Sequence, residues 1–114
     1  MNMNKILMNV PRKHKLLTKE IETKLPEFYS NEGIPLENRI ARVKFFTPAS
    51  NWTWYGLEYD PSEKLFYGYV DGFEREFGYF SLEELEAMNS AVERDIGFTP
   101  KPLGQIYSDL IIKE

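Results

Sequence analysis

From Arg39 the apolar period changes from about 3.6 to two, and up to Phe80 four short apolar runs follow one another, separated by turn residues. A period of two places alternate side chains on opposite faces of an extended chain, so this stretch must build a sheet. Ala41, Val43 and Phe45 alternate with Arg42 and Lys44, which describes a half-buried first strand. Thr47-Pro48-Ala49-Ser50-Asn51 breaks it, and Trp52 to Tyr59 forms the second. Asp60-Pro61-Ser62-Glu63 has proline in the second place of a turn, and Leu65 to Val70 is the third strand. Asp71-Gly72 is a dipeptide that tolerates the positive φ angles of a type I′ hairpin turn, so Phe73 is expected to start strand four. The expected core of the fold is a four-stranded antiparallel meander. Strict alternation puts Trp52 and Trp54 on one face of strand two and Tyr55 and Tyr59 on the other. Trp54 is expected in the core and Trp52, beside the loop, partly exposed. On strand three Leu65, Tyr67 and Tyr69 oppose Phe66 and Val70.

Helices flank this region, which makes the class α+β. Thr18 is placed to cap a first helix, with Glu20 and Glu22 near its positive end and Ile21, Leu25 and Phe28 as its apolar stripe. Pro26 should end that helix near Lys24 or Leu25. Ser81 and Glu84 have the spacing of a capping box, with Phe80 and Leu85 as its hydrophobic staple. Leu82, Leu85 and Met88 then supply a buried stripe. Pro100 and Pro102 exclude regular structure, whereas Leu103, Ile106, Tyr107, Leu110 and Ile111 fit a final amphipathic helix. Gly104 weakens that helix by about 1 kcal/mol relative to alanine.

The chain of 114 residues suits one domain, here residues 16–114, preceded by a basic, flexible arm over residues 1–15. Residues 1–19 hold five basic groups and no acid, while residues 20–114 hold 9 basic and 18 acidic groups. Eleven of those acids lie in residues 58–95. An acidic body of this kind solvates the protein, and it also suits a basic partner. With no cysteine, a disulfide framework, a thiolate zinc site and a thiol nucleophile are excluded. No apolar run reaches the roughly 18 residues of a membrane span, and Met1 to Val10 does not read as a secretion signal. The expected location is the cytoplasm.

The vocabulary of catalysis is sparse. His14, the one histidine, lies in the basic arm, and no phosphate-cradling glycine loop is present. Carboxylates remain: Glu58, Asp71, Glu74 and Glu76 are the candidate metal ligands, and a divalent cation is the one cofactor they suit. Glu74 and Glu76 would share a face of strand four, roughly 7 Å apart. Asp60 and Asp71, however, close successive turns at opposite edges of a meander, which keeps the acids from one pocket.

The aromatics are more unusual. Thirteen of the seventeen lie between Phe45 and Phe80. Helices from so short a chain are expected to cover one face of the sheet and leave rings of the other partly exposed. Trp52, Tyr59, Tyr67 and Tyr69, with Asp71, Glu74 and Glu76, are therefore the candidate partner-binding residues.

Asn51-Trp52-Thr53-Trp54-Tyr55, Glu58-Tyr59-Asp60-Pro61, Gly68-Tyr69-Val70-Asp71-Gly72 and the run Gly78 to Leu85 together resemble a family of small bacterial proteins catalogued as a domain of unknown function. The resemblance spans roughly residues 16–105. It implies a setting on plasmids, conjugative elements and phages, and no activity. The expected function is a non-catalytic accessory protein of a mobile element that binds a partner protein, a host defence system such as CRISPR being one such target. Two alternatives stand beside it: a carboxylate-dependent metal protein or enzyme, and a nucleic-acid binder that stacks bases on strands two and three and uses its arm on phosphates. The acidic body opposes the last, because affinity for nucleic acid comes mainly from positive charge.

Overall fold

The computed structural model describes residues 14–88 and 91–111, so the basic arm lies outside the described residues up to position 13. The strands are β1 (Ile40–Ala41), β2 (Val43–Phe46), β3 (Thr53–Asp60), β4 (Leu65–Asp71), β5 (Arg75–Ser81), β6 (Glu93–Arg94) and β7 (Lys101–Pro102). Five of them form an antiparallel sheet in the order β5-β4-β3-β2-β6, and β1 pairs separately with β7. The meander of the sequence reading is present, but the sheet has five strands rather than four. The added one, β6, is two residues long and pairs Arg94 and Glu93 with Phe45 and Phe46. Two charged residues carry no apolar alternation, which is why the pattern hid them. Pro102 also departs from expectation by pairing with Ile40. A two-residue edge ladder tolerates its missing N–H.

Leu57 is an extra residue in β3, since pairing with β4 passes from Gly56↔Gly68 directly to Glu58↔Tyr67. This bulge reverses the phase of everything after it. Trp54 and Tyr59 consequently pack in the same core, with Val43, Phe45, Phe66 and Phe80. The expected opposition of Tyr59 to the tryptophans is thereby corrected. A related break at Arg42, whose N–H donates to the Gly56 carbonyl at 2.8 Å, splits the expected first strand. Ala41 therefore joins a second core with Tyr55, Leu57, Tyr69 and Leu103, apart from Val43 and Phe45.

Each face of the sheet thus has its own cover. On the first lie α1 (Lys19–Lys24) and α2 (Leu82–Glu86), the latter contributing Leu82 and Leu85. Thr18 caps α1 by accepting from the Ile21 N–H at 3.2 Å, and the helix stops before Pro26 as its ring requires. Ser81 caps α2 by accepting the Glu84 N–H at 3.2 Å. Removing that acceptor with Ser81→Ala is expected to cost about 1 kcal/mol in a denaturant titration. An unchanged midpoint would show that the cap contributes nothing. The stripe beyond Leu85 is shorter than expected: α2 ends at Glu86, and Met88 is exposed.

The second face is covered by the C-terminal segment. Leu103–Ile106 forms one helical turn, α3, and Ser108–Leu110 a 3-10 turn. The expected continuous helix is interrupted at Tyr107, which is extended and sends its hydroxyl to an Asp71 carboxylate oxygen at 2.6 Å. Ile106, Tyr107 and Leu110 still pack against the second core. Arg75 clamps the same segment, donating from Nη1 to Asp109 Oδ1 at 3.1 Å and lying 4.8 Å over the Tyr107 ring.

Candidate functional site

The acids proposed as metal ligands are not brought together. Glu58 is buried and its carboxylate accepts three hydrogen bonds: from the Tyr29 N–H at 3.0 Å, the Asn31 N–H at 3.0 Å and the Asn31 side-chain amide at 2.9 Å. It ties the loop after α1 to the sheet. Asp71 is engaged by Tyr107 at the far end of β4. Glu74 lies in a turn rather than on strand four, so it does not share a strand face with Glu76. Among the described residues no group of three or more histidine, cysteine or acidic side chains could hold a metal ion.

Of the four candidate partner-binding rings, two are unavailable. Tyr59 and Tyr69 are each 3 % exposed, and burial raises the pKa of both hydroxyls. The physical reason is the two-sided cover: α1 and α2 reach Tyr59 after the bulge turns it, and the C-terminal segment covers Tyr69. An open stacking platform on β3 and β4 is therefore absent from the described residues. Tyr67 is half-buried, its ring edge-on to Tyr79 at 5.1 Å in a shallow cavity of about 250 Å³ that Glu58 and Arg39 also line. Burial of Trp54 and partial exposure of Trp52 agree with the expectation for the two tryptophans.

What remains is the tip of the β4–β5 hairpin. Asp71 pairs with Arg75, which leaves a three-residue loop of Gly72, Phe73 and Glu74. Among the described glycines only Gly33 has a positive φ, so the turn is not type I′. Gly72 is needed for another reason. A Cβ there would lie 2.3 Å from the Trp52 ring, so only glycine lets the loop rest on the indole. Phe73 follows at the apex and is 94 % exposed, where the sequence pattern placed the start of a strand. Its ring is nonetheless held, edge-on to Trp52 at 5.2 Å, and Trp52 in turn stacks on buried Trp54 at 5.8 Å. Glu74 and Glu76 are exposed beside it. The result is an aromatic knob propped on the core through Trp52, followed along the hairpin by exposed Glu74 and Glu76 with Arg75 between them paired to Asp109. A phenylalanine inside a hairpin turn, where polar residues are usual, was the available signal for it.

Compared with known proteins, residues 16–110 match the model of a family described as "Protein of unknown function (DUF2958)". No curated protein and no solved structure matches the chain.

Proposed function

The chain belongs to the DUF2958 family of proteins of unknown function, and we propose that it acts without catalysis, by inserting the tip of its β4–β5 hairpin into a partner protein. The observation that carries this reading is Phe73, almost fully exposed yet braced by Trp52. Leaving a phenyl ring in water is unfavourable by roughly 2 kcal/mol, a cost that a partner pocket receiving it recovers. Glu74 and Glu76 make the complementary surface an apolar pocket with a basic rim, which suppresses acidic competitors and favours encounter. The resemblance to accessory proteins of mobile DNA supports a host or element protein as the partner, and a component of a host defence system such as CRISPR is the target such cargo would serve.

The test is affinity capture from extracts of the native host, with wild type and Phe73→Asp as matched baits. The substitution lies in an exposed loop and is expected to leave the melting temperature unchanged. One or more proteins captured by wild type should be missing from the variant. Identical captures from the two baits would remove the hairpin tip from the function.

A further inference from the structure

Independently of the hairpin, a cavity of about 530 Å³ opens beside β2, between α1 and the loop that follows β6. It exists because β6 pairs only with Phe45 and Phe46, so the start of β2 has no strand on its outer side among the described residues. Arg42, Arg94 and Lys24 line it, facing Glu20 and Asp95. The two acids are already engaged: Glu20 with Lys24 at 3.5 Å, Asp95 with Lys44 at 3.5 Å and with the Gly97 N–H at 3.0 Å. The arginines are not neutralised in this way. Arg94 donates its Nε to the Lys15 carbonyl at 3.0 Å, and among the described residues neither arginine has a carboxylate within ion-pair distance. The Arg42 Nε is buried with no hydrogen-bond partner. Two guanidinium groups without a carboxylate partner thus border one concave site, and the unmade Arg42 Nε donor is itself costly. Ile21, Ile96 and Phe98 supply the apolar wall.

We propose that this cavity binds a small organic anion, its oxyanion head on Arg42 and Arg94 and its flat apolar body against Ile21, Ile96 and Phe98. Guanidinium groups receive carboxylate and phosphate oxygens in paired hydrogen bonds, and the volume falls within the range of small-ligand sites. Phenyl phosphate, benzoate, inorganic phosphate and benzyl alcohol, titrated into the full chain and followed by amide NMR shifts, separate the contributions. Phenyl phosphate or benzoate should shift the amides of residues 42–43 and 94–98, and the tighter of the two identifies the head group. Inorganic phosphate and benzyl alcohol should each bind at least about tenfold more weakly, and Arg42→Gln should weaken the anion by a similar factor. Arg94→Gln provides the same reading if Arg42→Gln fails to fold. Equal binding of inorganic phosphate would overturn the apolar half of the site, equal binding of benzyl alcohol the anionic half. Shifts absent from those residues with every probe would overturn the proposal.

Discussion

Gly68→Ala is expected to destabilise the protein by about 3 kcal/mol or more, a large share of the stability of a small domain. The added Cβ would sit 1.9 Å from the backbone oxygen of Tyr55, which cannot move without opening the β3–β4 ladder. The same atom would lie 3.0 Å from the Phe80 ring in the first core. Gly68 pairs with Gly56 at the start of the bulge, and a Cβ on Gly56 would in turn lie 2.7 Å from Val43 Cγ1. These strands approach as closely as they do because both positions lack side chains. Gly78 is the matched control: it pairs with Gly68 from the other side, and a Cβ there meets nothing within 4 Å. Gly78→Ala should therefore change stability by no more than about 0.5 kcal/mol. Equal denaturation midpoints for the two variants would show that the close approach at Gly68 is not what the geometry requires.

Glu58→Ala should cost about 3–5 kcal/mol, far beyond the usual effect of removing a carboxylate from a strand. Its three hydrogen bonds include two backbone N–H groups, of Tyr29 and Asn31, which would lose their acceptor. Tyr29 has a φ of 70°, a conformation that disfavours a bulky side chain, and the carboxylate holds it there. Amide exchange over residues 27–33 should accelerate in the variant along with the drop in stability. Glu63→Ala, at an exposed turn position, is the control and should be near neutral. A Glu58→Ala protein as stable as wild type, with exchange in the loop unaltered, would contradict the clasp.

These two positions also explain where the sequence was legible. Helix ends could be read at Thr18, Pro26 and Ser81 because capping and proline act within one turn of chain. The positions of the strands between Val43 and Ser81, and the turn after Asp60, were readable because apolar alternation and turn residues are local signals as well. The bulge at Leu57 was not, since its residues look like an uninterrupted strand, and the extra residue is defined only by the partner's register. One undetected residue then sent Tyr59 to the wrong face and made it a candidate contact. Tyr69 was misjudged for a second reason. Its cover is the C-terminal segment, held by Tyr107–Asp71 and Arg75–Asp109 contacts more than thirty residues apart in sequence. The candidate site was half visible: Trp52, Glu74 and Glu76 were singled out, while Phe73 was assigned to the start of a strand because the Asp-Gly pair suggested a tighter turn.

The docking of the hairpin tip is tested most directly by hydrogen exchange on the full chain, alone and saturated with the protein captured by wild type but not by Phe73→Asp. Binding through the tip predicts new protection concentrated in residues 72–76, with Trp52 fluorescence shifting to the blue as its exposed edge is covered. Protection confined to α1 and residues 94–100, with the tip exchanging as in the free protein, would contradict it.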